Sequence, residues 1–259
     1  MLDLPVPSPG RPGSYGTMAW LRVTVSRFSG GVAHARRRAI ATALLDTLDP
    51  EELRAGAASV DLHNQGLCNS TLAYVPVAVL ADALGIAGDV VGPVRTVAAA
   101  YHPGTDAPGA DDALAQLLEA LPAAEPEVAA QYVALLVQAC EATAALVRGG
   151  LERSLEDVLR DSPPVAATKR VAPDGSVVAV PLAGRPFGEG PRRCPGEAHA
   201  RALAAGVIEG ARGEARPVAP RGDARDAKGA RGEARAVAPR GDARDDAGGR
   251  GEAPTELAR

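Results

Sequence analysis

Residues 185–203 read R-P-F-G-E-G-P-R-R-C-P-G-E-A-H-A-R-A-L, and this stretch decides how the chain folds. A single cysteine, Cys194, stands among glycines, prolines and arginines and is followed by a run with helical character. Glycine lets the backbone turn tightly and aim its N–H groups at one point, and the N-terminus of a helix favours a negative charge. The pattern therefore predicts a thiol held at the start of a helix, either as a structural cysteine beside a turn or as a functional thiolate.

The composition limits the class of protein. The chain has 259 residues, 46% of them hydrophobic and 23% charged, with a formal net charge of −4. This is the composition of a globular protein with one core, and it argues against a strongly basic nucleic-acid-binding protein. Aromatic residues make up only 3% of the chain, so Leu, Val and Ala have to pack the core, which favours helices.

Cysteine usage and apolar runs indicate the compartment. Three widely spaced cysteines without a C-x-x-C pair argue against a disulfide framework or a zinc ribbon, so we expect a reducing, cytoplasmic location. The N-terminal segment lacks the pattern of a signal peptide. We also find no uninterrupted apolar run of about 18 residues, so no membrane-spanning helix is expected.

Both ends of the chain are expected to be disordered. Residues 1–16 are rich in Pro and Gly and show no apolar periodicity. Residues 211–229 and 230–248 are near-identical copies that differ at three positions and carry almost no large apolar residue. Such a repeat buries too little surface to offset the entropy of ordering it. We therefore predict a leader over 1–16, a folded domain over 17–210 and a disordered tail over 211–259, with an interaction arm as the alternative role of the tail.

Hydrophobic periodicity predicts a mostly α-helical domain. The alternation in W-L-R-V-T-V-S-R-F predicts a short strand or extended entry over 20–28, and a second brief strand is expected near 176–181. Helices are expected after Gly30-Gly31, after Asp49-Pro50, over 74–84, over 111–121, from Pro126 to the pair Gly149-Gly150, and over 154–160. The helix from Pro126 is apolar nearly all round, which places it in the middle of the domain.

The cysteine stretch resembles the haem-ligand signature of the cytochrome P450 family. Phe187, Gly190, Arg192, Cys194 and Gly196 stand at its defining positions, and the expected helix follows. The resemblance implies a truncated cytochrome P450-like helical fold, with minor β structure, in which the Cys194 thiolate binds the iron of haem b. In such a site, backbone N–H groups turned toward the sulfur hold its negative charge.

Further residues match the family in the same order along the chain. His34 and Arg38, four residues apart on one predicted helix, resemble the pair that reaches a haem propionate. Arg170 resembles the arginine on a neighbouring strand, and Arg192 resembles the basic residue two before the cysteine. The resemblance implies that these four side chains bind the two haem carboxylates.

The long helix departs from the family where proton delivery is carried out. Its segment Q-A-C-E-A-T-A resembles the oxygen-binding motif A-G-x-(D/E)-T-T, which aligns Glu141 with the acid and Thr143 with the second threonine. Ala142 stands where the first, more important threonine belongs. The resemblance implies that Glu141 is the proton-relay residue, and an acid that caps or salt-bridges on the helix is the alternative.

Two further departures concern an ion pair and the length. The E-x-x-R pair of the family is replaced by Asp157 and Arg160, whose spacing still allows an ion pair. Little chain precedes His34, and the segment from Arg170 to Phe187 is short for the family. Parts of the substrate-facing wall and of the surface that redox partners use are therefore expected to be missing or rebuilt.

The resemblance implies a haem-thiolate oxidoreductase, a monooxygenase or peroxygenase, that oxidises a small or carrier-bound organic substrate with dioxygen or peroxide. The missing threonine fits peroxide better, because peroxide arrives already reduced. The implied partners are the small-molecule substrate and, as a candidate electron donor, a ferredoxin-type protein, with no nucleic acid and no membrane. The alternative is a non-catalytic haem-binding or degenerate relative, which Ala142, the shorter acid Asp157 and the deletions favour.

Overall fold

The computed structural model describes residues 1–60 and 69–213. The chain divides into a unit Met1–Val218 and a unit Ala219–Arg259, and every described residue belongs to the first unit. The predicted repeat tail, apart from its first three residues, lies outside the described residues.

Helices make up most of the described chain, as predicted. In chain order they are α1 Met18–Thr24, α2 Gly31–Leu45, α3 Pro50–Ser59, α4 Asn69–Leu72, α5 Val75–Ala83, α6 Val91–Ala99, α7 Ala110–Ala120, α8 Pro126–Glu152, α9 Leu155–Asp161 and α10 Glu197–Arg212. The strands are β1 Ala167–Val171 and β2 Val177–Pro181, and 3₁₀ turns lie at Ser26–Phe28 and Gly190–Arg192.

The core is built around α8, the longest described helix. Buried residues occur all around it, among them Ala130, Val133, Leu136 and Val147. By length and apolar composition α8 would also suit a membrane span, but 61% of that window is buried inside the protein. The apolar pattern thus marks the central helix of a helical core, as predicted.

Helix α10, which follows Cys194, packs closely on α3. A Cβ atom at Gly206 would lie 2.1 Å from the Arg54 carbonyl oxygen, and one at Gly210 would lie 2.7 Å from the Ala58 carbonyl oxygen. The missing side chains let the two helix backbones approach each other. Arg54 also forms an ion pair with Glu209 across this interface. The packing fixes α10 and therefore the cysteine loop at its N-terminal end.

The two strands form an antiparallel hairpin, and the N-terminal leader contacts it. Leu2 is buried with Val180 and Leu182, and the Val171 N–H donates to the Pro5 carbonyl oxygen at 2.8 Å. Residues 1–16 contain neither helix nor strand. The sequence predicts a disordered leader, but the first residues of the leader lie against the hairpin. Leu2 packs on an apolar surface that exists only once the hairpin has formed.

The predicted strand over 20–28 is wrong. This segment forms α1 and the 3₁₀ turn that follows it. The Thr17 side chain caps α1 by accepting a backbone hydrogen bond, and Leu21 and Val25 are buried four residues apart. The cap and the i to i+4 apolar pair outweigh the alternation of branched residues.

The glycine pair predicted to end α8 lies within the helix. A Cβ atom at Gly149 would come within 2.8 Å of Val158, and one at Gly150 would come within 2.3 Å of Ile208. These glycines make room for α9 and α10, so the helix continues through them.

Glu127 ties the first turn of α8 to α2. Its carboxylate accepts hydrogen bonds at 2.8 Å from Arg36 and from Arg37. These hydrogen bonds, first from Arg36 and then from Arg37, lower the pKa of Glu127 to about 2. The carboxylate also lies at a helix N-terminus, where a negative charge is favourable.

We expect Glu127→Gln to lower the free energy of unfolding at pH 7 by about 1 kcal/mol, after allowance for solvent screening. Because the pKa is lower in the folded state, this stabilisation is present above the ordinary value of 4.5 and is lost as the pH falls toward 2. Urea denaturation at pH 7 and pH 3 should show a smaller difference between wild type and variant at pH 3. An equal difference at both values would contradict this role of Glu127.

Candidate functional site

The cysteine loop is a tight turn between the hairpin and α10. The Cys194 N–H donates to the Phe187 carbonyl oxygen at 2.8 Å and so closes the loop. Gly188 and Gly190 have φ angles of +73° and +63°, which residues with a side chain rarely adopt. The glycines of the opening stretch therefore serve to place Cys194 immediately before the helix.

The Cys194 sulfur lies among groups with opposing effects. Burial of the sulfur raises the pKa of the thiol, although the residue as a whole is exposed, and the charge of Glu197 raises it further. A hydrogen bond from the Gly196 N–H and the charges of Arg38 and Arg27 lower that pKa. Burial prevails, so the pKa of the Cys194 thiol is raised, and the Gly196 backbone is the largest of the influences that lower it and so favour a thiolate.

His34, Arg38 and Arg192 come together beside this loop. Burial and then the charges of Arg192 and Arg38 lower the pKa of His34. The Arg38 guanidinium donates to the Arg193 carbonyl oxygen, and Arg192 donates to the Ser29 carbonyl oxygen. Both arginines thus contact neutral acceptors, which leaves their charges uncompensated.

Arg170 joins the same group from β1. It is 6% exposed and donates from Nε to the Leu2 carbonyl oxygen at 3.0 Å. Burial, followed by the charges of Arg170, Arg38 and Arg27, lowers the pKa of Arg192. The fold therefore brings together all four residues that the resemblance assigns to the haem carboxylates.

Arg27 belongs to this group but is missed by the sequence prediction. It lies on the 3₁₀ turn before α2. Burial of Arg170 is the main cause that lowers its pKa, and the charge of Arg27 lowers it further. The only sequence signal is a basic residue shortly before the glycine pair that opens α2, and no spacing relates it to Cys194. We call His34, Arg27, Arg38, Arg170 and Arg192 the cationic cluster.

Within residues 1–60 and 69–213, no member of the cationic cluster forms an ion pair. The charge of Asp3 acts on Arg170 from a longer distance. Like charges held together without an ion pair repel each other, so the cluster is suited to bind an anion. His34 and Arg38 line one open groove of about 530 Å³, and Cys194 lines another of about 440 Å³.

Tyr101 supplies a second, independent observation near the cluster. It is 3% exposed, and its buried hydroxyl has no hydrogen-bond partner in the part of the chain that the structure describes. Burial raises the pKa of Tyr101, and the charge of Arg27 lowers it. An unsatisfied buried hydroxyl costs about 1–3 kcal/mol, so a further acceptor is expected here. Cations without an ion pair among the described residues suit carboxylates and the Cys194 thiol suits iron, so the types of side chain present match the groups of haem.

Glu141 and Thr143 have different surroundings on α8. The Glu141 side chain is 61% exposed, accepts a hydrogen bond from the Tyr74 hydroxyl at 2.8 Å and lies 3.7 Å from Arg148. Arg95 stacks over the Tyr74 ring at 4.4 Å. Thr143, in contrast, is buried. In the part of the chain that the structure describes, no hydrogen bond or ion pair joins either residue to the cationic cluster.

Asp157 and Arg160 retain the ion pair that their spacing allows. Arg160 also contacts Asp161 at 2.9 Å, and its side chain is 64% exposed. An ion pair so accessible to water contributes little to stability. Phe187 is partly buried, with the Arg201 guanidinium 5.3 Å from its ring centre.

Comparison with known proteins supports the helical architecture. No protein-family model matches the chain, and no curated protein matches it. Among solved structures, the chain is similar to the crystal structure of P450BioI in complex with an acyl carrier protein ligated to hexadec-9Z-enoic acid. The TM-score is 0.56 and the sequence identity 17%, and the alignment covers 80% of this chain and 79% of that chain. The likeness shows the fold alone: the described chain has a mostly helical fold similar to that of this cytochrome P450.

Proposed function

We propose that this protein is a haem-thiolate oxidoreductase of the cytochrome P450 type. The observation that carries the proposal is the cationic cluster, which has no ion-pair partner among the described residues and contacts the cysteine loop where Arg38 donates to the Arg193 carbonyl oxygen, next to Cys194. Two carboxylates would neutralise charges that repel each other in the free protein. The cytochrome P450 fold supports the same assignment.

Each residue of the loop and the cluster has a separate role in this proposal. Cys194 binds the iron, and Phe187, Gly190 and Gly196 shape the loop around its sulfur. The side chains that hold the carboxylates are His34, Arg38, Arg170 and Arg192. When bound, haem b supplies the redox chemistry that the side chains of the chain cannot supply.

Glu141 is the proposed proton-relay residue. Its carboxylate is open to solvent and within hydrogen-bond distance of the Tyr74 hydroxyl, so a proton can pass between water and this pair. Ala142 offers no hydroxyl beside it, and Thr143 is buried. We therefore propose peroxide as the preferred oxidant, with dioxygen and a ferredoxin-type electron donor as the less efficient route.

The substrate is proposed to be a small or carrier-bound organic molecule. The similar structure P450BioI was crystallised with an acyl carrier protein loaded with a fatty acid. A carrier-bound acyl chain therefore belongs among the substrates to test here. A cytoplasmic location is also proposed, from the widely spaced cysteines of the sequence.

A non-catalytic haem-binding protein is the second candidate. The accessible Cys194 and the two open grooves favour it, because a wet haem site loses its thiolate more easily. The missing threonine at Ala142 points in the same direction. This candidate shares haem binding with the first and differs only in turnover.

Turnover of the haem-loaded protein separates the two candidates. We expect product from a panel of free and carrier-bound fatty acids with peroxide, and a roughly tenfold lower rate for Glu141→Gln, which keeps the shape but loses the proton-accepting charge. The matched control is Glu156→Gln, which removes an exposed carboxylate paired with Arg201. Uptake of haem without product under peroxide or dioxygen would favour the non-catalytic protein.

A further inference from the structure

We propose that Arg27 is an additional ligand of the haem carboxylates and that the buried amide of Gln131 positions it. This inference rests on the proposed function, because it takes haem as the anion. It concerns residues that no resemblance assigns, and it links the central helix to the cationic cluster.

Gln131 holds the start of the segment that carries Arg27. Its side chain is fully buried on α8. Its Oε1 accepts from the Ser26 N–H at 3.2 Å, and its Nε2 donates to the carbonyl oxygens of Thr24 and Glu127 at 3.1 Å. A buried amide with both ends satisfied is a rigid contact, so the end of α1 and the 3₁₀ turn are fixed on α8.

Ser29 holds the other end of the same segment. Its hydroxyl donates to the Val25 carbonyl oxygen at 2.6 Å and accepts from Arg37, while its carbonyl oxygen accepts from Arg192 of the cysteine loop. Arg37 also donates to the Val23 carbonyl oxygen at 2.6 Å. Residues 24–29 are thereby bound to α8, α2 and the cysteine loop together.

Arg27 lies on this segment, between residues that the hydrogen bonds of Gln131 and Ser29 hold in place. It is half-buried, and within the described residues it has neither a hydrogen bond nor an ion pair. The next residue, Phe28, packs against Tyr101 with ring centres 5.1 Å apart. The Tyr101 hydroxyl has no hydrogen-bond partner among the described residues, and Ser29, two residues after Arg27, contacts Arg192. The segment that carries Arg27 therefore touches both Tyr101 and an arginine of the cluster.

The chemistry of this arrangement selects a carboxylate. A half-buried guanidinium without a partner has lost water and gained no compensating contact, and a carboxylate supplies charge and bidentate acceptors together. A fixed backbone lowers the entropy that such a contact costs. Arg27 thus contributes to affinity for the carboxylates of haem, and Gln131 contributes only through the position of Arg27.

The experiment compares haem with haem dimethyl ester, whose two carboxylates are blocked. Ligand-free protein is titrated with each, and the dissociation constant is read from the Soret band. Arg27→Gln should bind haem about tenfold more weakly than wild type and bind the ester as wild type does. The control is Arg153→Gln, which removes a charge paired with Asp161 outside the cluster and should change neither constant.

Gln131→Leu tests the positioning step. It should weaken haem binding several-fold in the wild-type background and have no further effect in the Arg27→Gln background. Both changes remove the same contact, that between Arg27 and a haem carboxylate. Equal losses in the two backgrounds would mean that Gln131 acts through general stability. Circular dichroism at each titration temperature confirms that the variants are folded, and if Gln131→Leu does not fold, the comparison of Arg27→Gln with the ester decides on Arg27.

The outcomes separate this inference from the proposed function. Wild type that binds neither haem nor the ester overturns both. Wild type that binds haem through the thiolate, together with an Arg27→Gln variant of unchanged affinity, overturns the role of Arg27 and leaves the proposed function standing. An equal loss of affinity for haem and for the ester would also overturn it, because the carboxylates would then not be the groups that Arg27 contacts.

Discussion

Gly206→Val is expected to lower the free energy of unfolding by about 3 kcal/mol or more, enough to leave much of a marginally stable domain unfolded. A Cβ atom at Gly206 would lie 2.1 Å from the Arg54 carbonyl oxygen and 2.9 Å from the Ala57 Cβ atom. The clash is with helix backbone, which cannot move aside as a flexible side chain can. Helix α10 would have to separate from α3, and the cysteine loop would move with it. Urea denaturation followed by circular dichroism measures the loss.

The control for this variant is Gly92→Ala in α6. A Cβ atom at Gly92 meets nothing within 4 Å, so alanine should leave the stability unchanged or raise it by up to about 1 kcal/mol through its higher helix propensity. Gly206→Val should therefore lower the free energy of unfolding, whereas Gly92→Ala should leave it unchanged or raise it. A Gly206→Val protein as stable as wild type would show that α3 and α10 do not pack as described.

The double variant Arg38→Gln/Arg192→Gln is expected to bind haem about a hundredfold more weakly or worse. Each arginine would lose a charge-assisted contact worth about 1.5–3 kcal/mol with a haem carboxylate. In the absence of haem, the same variant should be no less stable than wild type. Burial, and then repulsion by the other arginines, lowers the pKa of Arg192, and relief of both offsets the lost hydrogen bonds to backbone carbonyl oxygens.

Haem titration and thermal denaturation of the ligand-free protein measure the two halves of this prediction. The matched control is Arg11→Gln/Arg153→Gln, which removes two positive charges outside the cationic cluster. If haem affinity falls equally in both double variants, the net charge of the protein governs binding and the cationic cluster is not a specific site. A strongly destabilised ligand-free Arg38→Gln/Arg192→Gln protein would show that these arginines are structural.

Local patterns explain why much of the fold could be predicted from the sequence. The long apolar pattern from Pro126 and the proline at the start of α3 are local signals, and both helices are found. The strand expected over 20–28 fails because a cap and two buried residues at helical spacing decide the local structure. The prediction that α8 ends at its glycine pair fails for a related reason. The two glycines allow α9 and α10 to pack closely on α8, and local sequence carries no signal for such a contact.

The candidate site likewise contains residues that the local sequence predicts and residues that it does not. Cys194, Gly196 and Arg192 stand within one short motif, so their proximity follows from the sequence. Arg27 comes from a distant segment that only the folded core brings near this motif, and the buried Tyr101 packs against Phe28, next to Arg27. Their side chains have no characteristic spacing, because the distance between them is set by how the helices pack. Glu141 keeps its predicted place on α8, and its contact with Tyr74 likewise had no signal in the sequence.

The central claim is that the Cys194 thiolate binds haem iron, and one spectrum tests it most directly. Purified protein is loaded with haem, reduced, and exposed to carbon monoxide. The account predicts the long-wavelength Soret band that marks a thiolate ligand, its loss in Cys194→Ala, and its retention in Cys140→Ala, since Cys140 is buried in the core on α8. A wild-type protein that takes up no haem, or whose band is unchanged in Cys194→Ala, would contradict it.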